Sequence, residues 1–159
     1  MGTYIHVIID HKVQDYRDHS GVIALLQPPG TWTALPEHKV ADFVDYSGPE
    51  GLFLRFGRQV AVLTGDRWRG FLADKPSRTA ALPAFRAIAR SIGGTRLVLL
   101  PDSSEVAYDA VIDGLSQDRC IAMLREQYGP PQQSLEEIDP QVTASAAHGV
   151  PQVWFLASV

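Results

Sequence analysis

A single cysteine in 159 residues sets the first limit. Cys120 has no second thiol to pair with, so an intrachain disulfide and a thiolate metal cluster are both excluded. Its expected role is that of a small buried apolar residue on a helix. Long apolar runs are also missing. No stretch approaches the roughly 18 residues that a membrane-spanning helix needs. The first residues, MGTYIHVIIDH, lack the basic flank and small-residue cleavage site of a secretion signal. Gly2 does not head a myristoylation motif, because the sixth residue is His6 rather than Ser or Thr. The expectation is a cytoplasmic protein without a membrane partner. Lysine is scarce as well, which leaves Arg to carry most of the positive charge.

What is present suits one ordinary domain spanning residues 1–159. An apolar content of 45% and a charged content of 20% belong to a globular chain. A chain of this length buries about 70% of its unfolded surface and folds without staples. The net charge of −4 is unevenly distributed. Residues 1–50 hold seven acids and three bases, residues 51–100 two acids and nine bases, and residues 101–159 nine acids and two bases. The basic block has two readings. Acidic helices can neutralise it within the fold, or its arginines, whose forks suit carboxylate and phosphate, can serve a partner.

The stretch Leu52 to Leu72, LFLRFGRQVAVLTGDRWRGFL, gives the most definite geometry. Runs rich in Leu, Val, Phe and Trp are separated by Gly57-Arg58 and Gly65-Asp66, a spacing that predicts two tight hairpins and hence a three-stranded meander. Two-residue loops would set Phe56 opposite Gln59 and Thr64 opposite Arg67. Alternation then sorts Leu52, Leu54, Phe56, Ala61, Leu63, Trp68 and Leu72 onto a core face, with Gln59 at its edge. Phe53, Arg55, Val60, Val62, Arg67, Arg69 and Phe71 fall on the other.

Around this unit, Thr3 to Ile9 reads as an interior strand and Asp15 to Leu26 as a helix capped by Asp15 or Asp18. Val40 to Tyr46 fits either a helical turn or an edge strand. Ala73 to Ala81 reads as a surface crossing, followed by a helix with Pro83 in its first turn, a Phe85-Ile88-Ile92 stripe and a stop at Gly93-Gly94. Arg96 to Leu100 has the continuous apolar character of a buried strand. Asp102 with Glu105 approximates a capping box for the next helix, Gly114 ends it, and Ser116 caps another that runs to Tyr128. A short helix at Ser134 to Ile138 and a strand at Val153 to Leu156 complete an α+β fold: a mostly antiparallel sheet with helices packed on its core face.

Three sites compete for a function. His6, Asp10, His11, Asp18 and His19 lie close in sequence, but the spacing lacks a His-x-His pair or an HExxH motif, so no metal or other cofactor is expected. Asp102, Ser103 and Ser104 stand where a strand delivers the chain to a helix, a place for an anion or a serine nucleophile in a hydrolase. The glycines of a nucleophile elbow are absent, however. Phe53, Arg55, Arg67, Arg69 and Phe71 form the strongest candidate, an arginine–aromatic platform of the composition found where interface energy concentrates. The platform could also stack unpaired bases. The acidic chain and its low lysine content place a protein partner, or self-association, ahead of single-stranded nucleic acid. Residues 30–46, with Trp32, Phe43 and Tyr46, could instead cover this face and pair Asp42 or Asp45 with its arginines. The leading expectation is therefore a non-catalytic binding protein, of the inhibitor, adaptor or immunity type.

Overall fold

The computed structural model describes residues 4–36, 42–132, 135 and 153–159, without the side chains of Asp66 and Arg69. It has an α+β fold built on one antiparallel sheet of seven strands: β1 (Tyr4–Asp10), β2 (Thr33–Ala34), β3 (Phe43–Ser47), β4 (Phe53–Gly57), β5 (Val60–Arg67), β6 (Arg96–Pro101) and β7 (Phe155–Ser158). Their order across the sheet is β2-β3-β4-β5-β1-β6-β7. The helices are α1 (His19–Leu25), α2 (Trp68–Ala73), α3 (Lys75–Ser91), α4 (Val106–Ile112) and α5 (Gln117–Tyr128). The short helix expected at Ser134 to Ile138 falls outside the described residues, apart from Leu135.

Alternation in β1 explains its place inside the sheet. Ile5, Val7 and Ile9 enter one core with Val22 of α1 and the Leu26 that follows it, Phe71 of α2, and Phe85 and Ile88 of α3. Ile8 enters a second core with Ala107 and Val111 of α4, and Cys120 and Leu124 of α5. Helices cover both sides of the sheet, so the expected layer on the core face is present and a second lies on the opposite face. Burial on α5 pushes the Cys120 thiol up to about 11. Gln117 secures the second layer by donating from Nε2 to the carbonyls of Ile8 (3.0 Å) and Arg96 (2.9 Å).

The meander holds for two strands and fails at the third. Phe56 pairs with Ala61 and Leu54 with Leu63. The loop is therefore Arg58-Gln59, two positions beyond the expected register. A two-residue shift restores each side chain to its face, so the sorting of β4 and of β5 as far as Thr64 survives. Gly65-Asp66 is not a turn. The register shifts there against Tyr4 and Ile5, which makes the dipeptide a bulge within β5. At Gly65 an added Cβ would stand 2.5 Å from Leu52 Cδ2, so a larger residue would displace the Leu52 side chain.

Of Arg67 to Leu72, the expected third strand, Arg67 ends β5 and the rest becomes α2. Trp68, Phe71 and Leu72 have the i, i+3, i+4 spacing of a buried helical stripe, and all three are buried. Asp74 ends this turn and caps α3 by accepting from Ser77 N (3.2 Å). The surface crossing expected at Ala73 to Ala81 is thus mostly helix. Pro76, rather than Pro83, occupies the first turn, and Pro83 lies inside α3 on its exposed side. Arg78, buried in α3, donates to the carbonyls of Phe71 (3.1 Å) and Leu72 (2.6 Å), occupying acceptors that the end of α2 leaves open.

Two local expectations resolve clearly. Asp18 caps α1 through Gly21 N, and Ser116 caps α5 through Arg119 N. Residues 43–47 are a strand, β3, hydrogen-bonded between β2 and β4.

Candidate binding site: the open corner of the second sheet face

Strand pairing places a small grid of side chains on the second face. In one row Ser47 pairs with Phe53, Phe53 with Thr64, Thr64 with His6, and His6 with Leu100. In the next, Asp45 pairs with Arg55, Arg55 with Val62, and Val62 with Ile8. Helix α4 packs over Val62. Between α4 and the first row lies a recess of about 140 Å³ lined by His6, Phe53, Arg55, Val62, Thr64, Ala107, Tyr108 and Val111.

Arg55 is the most constrained group there. Its Nε donates to Asp45 Oδ1 (2.8 Å) and its Nη2 to Asp45 Oδ2 (3.1 Å), a two-pronged contact with a carboxylate that is almost wholly buried. The guanidinium carbon lies 4.2 Å from the Phe43 ring centre and 5.8 Å from that of Phe53. Fork and stack together hold the head in one orientation. Nη1 has no described partner and belongs to a residue that lines the recess. Asp45 thus forms the arginine pairing expected of residues 30–46. Phe43 lies on this face, while Trp32 and Tyr46 are buried in the opposite core.

His6 forms another wall. Burial lowers its pKa, the Asp102 carboxylate opposes that fall, and Arg55 adds to it. The neutral imidazole is favoured at pH 7. Its Nδ1 is buried and has no hydrogen-bond partner among the described residues.

The five platform residues do not form one patch. Phe53 and Arg55 line the recess. Arg67 is exposed, with its guanidinium carbon 5.2 Å from the ring centre of Tyr4, its cross-strand neighbour. Arg69 lies on α2. Phe71 is 2% exposed in the opposite core, its ring stacked on Trp68. The reason is the change from strand to helix at Trp68, which replaces two-residue alternation with a 3.6-residue period.

Asp102 is not a helix cap. Its N–H donates to Tyr4 O (2.8 Å), prolonging the β1–β6 contact, while Glu105 occupies the cap position of α4 without a side-chain bond. Ser104 is 3% exposed and its Oγ accepts from Val106 N (3.4 Å). Ser103 is exposed. The pairing of β1 with β6 nevertheless sets Asp102 within electrostatic reach of His6, a proximity with no sign in the sequence.

The other early histidines and acids serve the frame. Asp10 accepts from Thr95 N (2.9 Å), Thr95 Oγ1 (2.7 Å) and Arg96 N (3.1 Å). His11 bridges Val13 N (3.1 Å, to Nδ1) and Gly57 O (2.8 Å, from Nε2), its ring centre 4.5 Å from that of Phe56. No group of three His, Cys, Asp or Glu that could hold a metal ion occurs among the described residues. Nor, among them, is any helix long and apolar enough to cross a membrane.

Sequence reasoning missed His6, Thr64 and Tyr108 as neighbours. Alternation groups His6 with Tyr4 and Ile8 on one side of β1, but nothing in the sequence gives the strand order that sets this side beside Phe53 and Arg55. Tyr108 was hidden beside the acids Asp109 and Asp113, although Tyr108 and Ile112 share the same i, i+4 relation. Comparisons with family models, with curated proteins and with solved structures found no match for the chain.

Proposed function

We propose that the chain is a non-catalytic, cytoplasmic binding module of the inhibitor, adaptor or immunity type, which recognises another protein through the open corner of its second sheet face. The observation that carries this reading is the placement of exposed apolar groups. Of the four large hydrophobic side chains that are exposed among the described residues, Tyr4 (40%), Leu25 (42%), Tyr108 (57%) and Ile112 (43%), three belong to this side. Tyr4 extends the face beyond His6, and Tyr108 stands at the recess with Ile112 one helical turn further on. Aromatic side chains around a recess with a fixed arginine are the usual composition of an interface centre. Asp102, whose charge reaches His6 at the recess wall, disfavours a phosphodiester backbone and suits a polypeptide.

A photo-crosslinking residue at Tyr108, compared with one at the exposed Arg90 on the opposite layer, tests this in cells of the native host. A protein adduct formed at position 108 and absent at position 90 is expected. Equal labelling at both positions, or none at 108, would refute the assignment. An adduct of twice the chain mass would identify self-association instead.

One observation supports a second reading, a hydrolase. His6 lies in the field of Asp102 beside a recess, with Ser103 exposed nearby in sequence. That reading requires Ser103→Ala to abolish an esterase or amidase activity of the purified protein. An activity unchanged by the substitution removes Ser103 from the chemistry.

A further inference from the structure

We infer that the recess accepts one uncharged six-membered aromatic ring carrying a hydroxyl, presented by the partner protein as a tyrosine side chain. The inference rests on the protein-binding reading above and specifies the group that is bound. Size gives the first argument. At about 140 Å³ the recess, open on one side to solvent, has room for about one six-membered ring. A single ring fits, whereas an indole is oversized.

Wall chemistry gives the second. Phe53, Val62, Ala107 and Val111 offer apolar surface to the faces and edges of a ring. The Thr64 hydroxyl and Arg55 Nη1 supply polar groups for one substituent. A ring without such a substituent would displace water from them and leave them unpaired, which costs affinity.

Charge gives the third. Asp45 neutralises Arg55, His6 is held toward its neutral form, and Asp102 lies close by. This balance selects against an anion such as a phosphorylated tyrosine or a nucleotide. It favours a neutral phenol, and tyrosine is the phenol that proteins present and that interfaces enrich.

The test is a titration of the isotope-labelled full-length chain with p-cresol, toluene, p-cresyl phosphate and N-acetyl-tyrosinamide, following the backbone amides of Phe53, Thr64 and Ala107. p-Cresol should shift these amides saturably with a dissociation constant in the millimolar range, about what eight heavy atoms achieve. Toluene should bind at least about threefold more weakly, by loss of one hydrogen bond, and the phosphate should not bind. N-Acetyl-tyrosinamide should bind at least as tightly as p-cresol, since a partner's ring arrives on a backbone. Thr64→Ile, which fills the recess from a strand position that tolerates a β-branched residue, should abolish the shifts. Phe53→Leu should weaken them several-fold if Thr64→Ile fails to fold.

No saturable shift with p-cresol, equal binding of toluene, or tighter binding of the phosphate would overturn the inference. Exclusion of N-acetyl-tyrosinamide while p-cresol binds would overturn the protein source of the ring. The two proposals fail separately: an adduct at position 108 without p-cresol binding retains the interface and loses the ring, and p-cresol binding without an adduct does the reverse.

Discussion

The two faces of the sheet are made from the same strands and finished differently. On the first, Ile5, Val7, Ile9, Leu54, Phe56, Ala61, Leu63, Leu97 and Leu99 are all fully buried under α1, α2 and α3. On the second, α4 and α5 bury Ile8, Val60, Val62, Val98 and Leu100 and leave Tyr4, His6, Phe53 and Thr64 only partly covered or exposed. Helix α3 is 17 residues long and α4 only seven, so the second layer offers the shorter cover. Side chains on the closed face therefore answer to stability, and those at the open corner are available for recognition.

Truncation on the closed face should have the largest effect. Phe85→Ala should cost about 3–5 kcal/mol in denaturant unfolding, since it removes a ring from a site with little freedom to collapse. A cost below about 1 kcal/mol would show the first layer to be loosely packed and would erase the contrast. Next is Asp45→Ala, which leaves the Arg55 charge partly buried and unpaired. We expect a loss of about 3 kcal/mol, much of it recovered when Arg55 is replaced by Met in the same chain. If the double variant is no better than the single one, the pair is not the unit described.

Acidification gives a smaller effect with a defined sign. Burial lowers the pKa of His11 below 6.5, with the Gly57 bond and the Asp10 charge opposing, and burial likewise lowers that of His6. The unfolded chain therefore takes up protons first. The associated stability is fully present above about pH 6.5 and is lost as pH falls through the depressed folded values. Melting temperature should decline from pH 7 to pH 5, and His11→Gln should flatten the decline. A steeper decline in His11→Gln would place the responsible group elsewhere. Smallest of all is Tyr108→Ala, expected to change stability by less than about 0.5 kcal/mol while weakening ring binding in the p-cresol titration. A large loss of stability would make Tyr108 part of the frame.

Much of the fold was legible. The α+β class, the interior β1, the buried β6, the caps Asp18 and Ser116, and the two faces of β4 and β5 follow from short-range periodicity and capping chemistry. The failures share a cause. Gly65-Asp66 reads as a turn because glycine suits turns, yet here the glycine answers to the Leu52 side chain, packed against it from outside its own strand. Trp68, Phe71 and Leu72 satisfy strand and helix patterns alike over six residues, and the core they join decides between them. The recess was legible only in part. Phe53 and Arg55 were on the correct face, but Asp45, His6 and Tyr108 reach them through β3, β1 and α4, and strand order is not a local property.

That strand order also fixes a timetable for synthesis. Ile8 lies between Val62 and Val98, so the middle strand acquires its second neighbour 90 residues after its own translation. At about 5–20 residues per second the wait is at least several seconds. During it, a segment with apolar side chains on both faces has an edge still unpaired. The nascent chain should therefore be a chaperone client until Arg96 to Pro101 emerges, and release should follow that strand rather than the earlier β4–β5 hairpin.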